Sequence, residues 1–194
     1  MSIARQRLNQ SESRSVALDA ARRILIEKGP QAVTLKAVAA EVGRTHANLL
    51  HHFGSAAGLQ AELARSIAEQ VNAAIAGAVQ RFREGRSGPK EIVDLTFDAF
   101  GKEGAGALAA WMILNGNSEA LNPVLDSIHN LVERLAVGQP GRPVQEVTLA
   151  LILTAVGHSL LGQPIADALD LPEEAARGLA LEMLTHRLGS TGVR

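Results

Sequence analysis

Glycine and proline fall in this chain at intervals that leave only helix-length runs between them: Gly29-Pro30, Gly85 through Pro89, Gly116, Gly138 through Pro143, Gly162 to Pro164, and Leu171-Pro172. Between those stops Ala and Leu dominate, aromatic residues make up 3% and Tyr is absent. Strands draw on β-branched and aromatic residues, whereas Ala and Leu lead the helix scale, so an all-α fold is expected. A chain of 194 residues, 46% of them hydrophobic, can bury one sizeable core or two small ones.

The first helix is expected from about Ser13 or Arg14 to Lys28, with Val16, Ala17, Ala20, Ala21, Ile24 and Leu25 as its apolar stripe. Leu35, Val38, Ala39 and Val42 then follow the i, i+3, i+4, i+7 template, with Thr34 as N-cap and Gly43 as the turn residue. A third short helix, about Thr45 to Phe53, turns Leu49 and Phe53 inward. Two short helices about a tight glycine turn have the dimensions of a helix-turn-helix. One long helix is expected from Ser55 to about Glu84, its seam marked by Leu59, Leu63, Ile67, Val71, Ala74, Ala78 and Phe82. Further helices are expected at about 90–102, 105–114, 118–137, 144–161 and 172–188.

Charge narrows the function classes. The formal net charge is −1, so binding of nucleic acid through bulk basicity is excluded. Residues 1–60, however, hold 8 Lys+Arg against 4 Asp+Glu, while the remainder is acidic. A basic head on an acidic body suits a polyanion at one end. Without cysteine there is no disulfide, zinc-thiolate site or cysteine nucleophile. The start of the chain has three arginines and no apolar block, which argues against a secretory signal. The longest apolar stretch, Val147 to Gly162, is interrupted by polar residues and short for a bilayer core of about 30 Å. A cytoplasmic protein without a membrane partner is expected.

The outward face of the third helix suits a DNA groove. Arg44 can offer paired donors to guanine or phosphate, Asn48 can pair with adenine, and Thr45 can bond a phosphate at the helix N-terminus. His46, His51 and His52 can donate to phosphates. Their spacing does not put His46 on one helical face with the other two, and no carboxylate accompanies them, so no metal site is expected. Arg5, Arg7 and Arg14 could reach an adjacent minor groove. No nucleophile triad, phosphate loop or carboxylate–histidine spacing supports an enzyme or a cofactor.

The stretch Thr34 to Leu63, TLKAVAAEVGRTHANLLHHFGSAAGLQAEL, resembles the DNA-binding segment of the TetR family of bacterial transcriptional regulators. It matches that pattern at Thr34, Leu35, Val38, Ala39, Val42, Gly43, Leu49, His52, Phe53, Gly54, Ser55 and Leu59. The resemblance implies a DNA-binding domain over residues 1–54 and a helical effector-binding and dimerisation domain over 55–194. It implies DNA contacts from Thr34, Lys36, Arg44, Thr45, His46, Ala47, Asn48 and His51; His52, near the helix end beside Phe53, is read as structural, packing or capping, rather than as a DNA contact. His51 stands where the family usually has a phosphate-binding tyrosine, Leu50 where another aromatic is common, and Ala56 where a lysine opens the fourth helix. Fewer phosphate contacts follow.

The same resemblance implies a homodimer built from the helices at about 144–161 and 172–188, on a palindromic operator, released by a small-molecule effector. The first of these helices is apolar almost all round, which by itself requires burial on several sides. Candidate effector contacts are Phe97, Phe100, Trp111, Met112, His129 and His158, the least generic residues of the middle helices. Two other readings stay open: a helical interaction protein that keeps the fold without binding DNA, and a helical enzyme or ligand carrier.

Overall fold

The computed structural model describes residues 10–139, 141 and 143–189; the arm arginines Arg5 and Arg7 lie outside them. Every regular element among the described residues is helical. α1 (Gln10–Lys28), α2 (Leu35–Glu41) and α3 (His46–Phe53) form the head, and α4 (Ala56–Arg83) leads away from it. α5 (Pro89–Phe100), α6 (Ala105–Leu114), α7 (Asn122–Ala136), α8 (Val144–Ala168) and α9 (Ala175–Gly189) form the body around the far part of α4.

Four boundaries differ from expectation by three residues or more: α1 begins at Gln10 rather than at Ser13 or Arg14, and the other three lie at prolines. The run 118–137 divides into a 3-10 turn, Ser118–Leu121, and then α7, because Pro123 lies at the start of that helix, where its missing N–H costs nothing. α8 runs through Pro164 instead of stopping at Leu161. Pro164 and Leu160 are both exposed, so the carbonyl that loses its partner faces water. α9 begins at Ala175, after Pro172, rather than on it. At 25 residues α8 is, among the described residues, the one helix long and apolar enough to cross a membrane, which corrects the shorter span read from sequence.

The side chains sort into two cores. One joins Ala17, Ala20, Ile24, Val38, Leu49 and Phe53 of the head to Leu59, Leu63 and Ile67 of α4 and to Leu108 and Met112 of α6. The other joins Ala78 of α4 to Val93 and Phe97 of α5, Leu151 and Ala155 of α8, and Ala180 and Leu184 of α9. The head core therefore extends past residue 54 into the body's own helices. Gly104 allows this approach: it has φ +77°, and a Cβ there would lie 3.0 Å from Leu25 Cγ of α1. Arg22 of α1 adds a polar tie, its Nε donating to Glu103 at 2.8 Å.

Arg177 fixes α9 to α5. Its guanidinium meets Asp94 at 3.1 Å and Asp98 at 2.9 Å, and it lies 5.1 Å from the Phe97 ring centroid. Nε sits 3.0 Å from Glu174, an ion pair rather than an aligned hydrogen bond. Burial pushes both aspartates up, but hydrogen bonds from Arg177, with Lys90 on Asp94 and Lys102 on Asp98, outweigh it and hold both carboxyls below the usual range. A depressed carboxyl stabilises the fold above its unfolded value and loses that contribution as pH falls through the folded value. Arg177→Met is therefore expected to cost about 1–2 kcal/mol at neutral pH, two pairs that are about one-third exposed on the acid side. The gap should close below about pH 4, measured as denaturant midpoints at both pH values. A constant gap would contradict it.

Candidate nucleic-acid interface and interior cavity

The turn between α2 and α3 is built by backbone geometry that the sequence permits at one residue. Gly43 takes φ +63°, the amide of Arg44 donates to the Ala39 carbonyl (2.9 Å) and that of Gly43 to Ala40 (3.3 Å). These are the two bonds of a Schellman ending. Hydroxyls start the next helices: Thr34 accepts from the Ala37 amide (3.1 Å), Thr45 from Asn48 (3.2 Å) and Ser55 from Gly58 (2.9 Å). Each cap occupies a lone pair and leaves the hydroxyl proton free to donate. Thr45 is thus the cap of α3, one residue outside the helix it was expected to open.

With Leu49 and Phe53 anchored in the head core, α3 shows its other side to solvent. Arg44, Thr45, His46, Ala47 and His51 are exposed, as are Thr34 and Lys36 beside them, and Asn48 is half-buried. The eight residues lie on α2, α3 and their N-caps, with Arg44 in the turn between the helices. Lys36 and Arg44 form no side-chain ion pair or hydrogen bond among the described residues. The arginines of α1 are engaged elsewhere. Arg14 pairs with Glu62 at 2.7 Å, sits 5.3 Å from the Phe53 ring centroid and donates to the His52 carbonyl at 3.4 Å. It belongs to the joint between α1, α3 and α4, not to a free arm, and His52 contributes its backbone to that joint. Arg23 pairs with Glu41 at 3.4 Å.

Gly58 was not singled out by sequence, although it holds α3 against α4. A Cβ there would lie 2.1 Å from the Phe53 carbonyl oxygen. Gln60 was missed as well; it is buried and donates to the Val33 carbonyl at 3.1 Å. A glycine in the first turn of a long helix and a glutamine beside its seam are the only sequence signals, and neither is specific.

The body holds a partly open cavity of about 200 Å³ between α4, α5, α6, α7 and α8, with Leu184 of α9 also in its wall. Phe100 lines it; Phe97, Trp111, Met112, His129 and His158 do not. Met112 is buried in the head core instead. Phe97 lies between Arg177 and the His158 ring, whose centroid is 5.3 Å away. His158 Nδ1 is buried without a hydrogen-bond partner among the described residues, and His129 is exposed. Conspicuous residues were the wrong guide, because the wall is made mainly of Ala, Val, Ile and Leu that periodicity marks only as core. Its polar residues include Asn72, Thr96 and Arg83. Asn72 donates to Ser127 Oγ at 2.6 Å, and Thr96 to the Ile92 carbonyl at 2.8 Å.

Residues 17–63 match the model of the bacterial regulatory proteins of the tetR family. No curated protein matches the chain. Among solved structures, the multidrug binding protein EbrR in complex with imidazole is similar with a TM-score of 0.60, at 21% identity over 95% of this chain and 96% of that one. A TetR-family transcriptional regulator from Streptomyces coelicolor is similar with a TM-score of 0.59, at 17% identity over 95% of this chain and 99% of that one.

Proposed function

We propose, with residues 17–63 a TetR-family helix-turn-helix segment on a TetR-like helical fold, that this chain is a homodimeric cytoplasmic repressor released from a palindromic operator by a small molecule. The observation that carries the reading is the outward side of α2 and α3, where Lys36 and Arg44, two cations without an ion-pair partner among the described residues, flank capped helix starts. Thr34, Lys36 and His51 supply phosphate contacts, while Arg44, Thr45, His46, Ala47 and Asn48 face the bases or their flanking sugar-phosphate.

α8 and α9 support the dimer. Leu149 and Leu153 are 61% and 62% exposed, Leu161 57% and Leu179 63%. Such a stripe on adjacent helices is covered by a second copy through a two-fold axis. Two heads about 34–36 Å apart then read half-sites one turn apart. The functional division falls at residues 1–54 and 55–194, although the head core crosses it. Leu108 supports coupling, since it packs in the head core and also lines the cavity. An effector that favours a body shape with misplaced heads lowers DNA affinity, and DNA lowers effector affinity equally. The likeness to a multidrug binding protein supports a small-molecule role for the cavity.

Selection of bound sequences from a random duplex pool, at moderate and raised salt, tests this directly. A palindrome with half-sites about one turn apart is expected. Arg44→Ala and Asn48→Ala should each relax preference at one position by about 1–3 kcal/mol. No enrichment at any salt would overturn DNA reading and favour a protein-interaction role.

A further inference from the structure

α4 contributes to the cavity wall from Ala64 to Arg83, about 28 Å of helix at 1.5 Å per residue. A volume of about 200 Å³ drawn out along that length is narrow. A flexible chain one carbon wide can follow a space of that length. Most of the wall is aliphatic, and its two buried polar side chains, Asn72 and Thr96, already donate to protein acceptors. No Asp or Glu among the described residues lines it, so a buried cation would find no counter-charge.

One end is different. Arg83 is the one charged side chain of the wall and its one exposed residue among those described. Its guanidinium donates to the Leu135 carbonyl at 2.5 Å, which sets Gln139, four residues on, at the same end of the cavity. A guanidinium has five N–H donors, so most remain for a bidentate anion. The adjacent carboxylate does not compete, because Glu84 is engaged by Arg86 and Gln80, each at 2.6 Å.

We infer that the cavity takes a long unbranched aliphatic chain ending in a carboxylate, the chain along α4 and the carboxylate on Arg83. This rests on the effector role proposed above and gives it a ligand class. Calorimetric titration of the full chain with octanoate, decanoate, dodecanoate and tetradecanoate, all below micelle formation, tests it. One chain per subunit is expected, with Kd tightening about fourfold for each buried methylene. Dodecylammonium should bind at least about tenfold more weakly than dodecanoate. Arg83→Gln should weaken dodecanoate about tenfold with little effect on dodecanol, and Arg83→Lys should restore much of the loss. Equal binding of the ammonium, no dependence on chain length, or unsaturable uptake of many chains would overturn the inference.

The same samples, titrated onto the selected duplex, separate the two readings. Dodecanoate that binds through Arg83 without changing operator affinity upholds the ligand class and removes effector release. Specific operator binding by a protein that takes up none of the chains removes the ligand class and leaves the regulator.

Discussion

Leu153→Arg is expected to convert the dimer to monomers and to abolish high-affinity operator binding. Leu153 is 62% exposed on α8, in line with Leu149 four residues before and Leu160 seven after, each also exposed. In the proposed dimer these side chains leave water, and a guanidinium among them would be buried without a partner. Breaking such burial costs about 3–5 kcal/mol per uncompensated charge, and two-fold symmetry places two at the interface. Sedimentation should show a single subunit, and anisotropy titration should show a loss well beyond the tenfold that about 1.4 kcal/mol produces. Leu114→Arg is the matched control, because Leu114 is 83% exposed at the end of α6, on neither α8 nor α9. A Leu153→Arg protein that stays dimeric with unchanged operator affinity would remove the α8–α9 interface from the account.

Gly58→Ala is expected to unseat α3 and to lose DNA binding together with stability. Its φ is ordinary for a helix, so the constraint is space: the new Cβ would stand 2.1 Å from the Phe53 carbonyl oxygen and 3.3 Å from its carbon. The obstacle is backbone, pinned by Phe53 in the head core and by the Gly54 amide bonded to the Leu50 carbonyl at 2.8 Å. Overpacking of that kind costs about 3 kcal/mol, exceeding the gain of about 1 kcal/mol that alanine brings to a helix. The net loss of about 2 kcal/mol should lower the midpoint of thermal unfolding by about 4–8 °C for a chain of this size. Gly77→Ala in the same helix should go the other way, since its Cβ would meet only the flexible end of Arg81 at 3.3 Å. If both substitutions stabilise equally, the corner is not constrained as described.

The two variants lie at opposite ends of what could be read in advance. Periodicity and glycine placement were sufficient for the helix-turn-helix: Leu35, Val38, Leu49 and Phe53 are buried where their spacing put them, and Gly43 makes the turn. These are local matters. An amphipathic helix reveals its buried face, a hydroxyl its cap and a glycine its positive φ, within a few residues of the event. The exposed face of α3 follows from the same arithmetic, because the residues that are not packed inward must point out.

Long-range partners left no such trace. Arg14 looks like a groove-seeking arm residue until Glu62 and the Phe53 ring are seen beside it. Met112 and Trp111 seemed suited to a pocket, yet α6 turns Met112 into the head core and the cavity opens among ordinary aliphatic residues. Sequence by itself determined the helical class, the order of the elements and the outward side of α3, since each depends on spacing along one helix. Only the tertiary structure decided which helices share a core and where a space remains between them. Those outcomes depend on how separate helices cross, which a one-dimensional pattern of apolar residues does not encode.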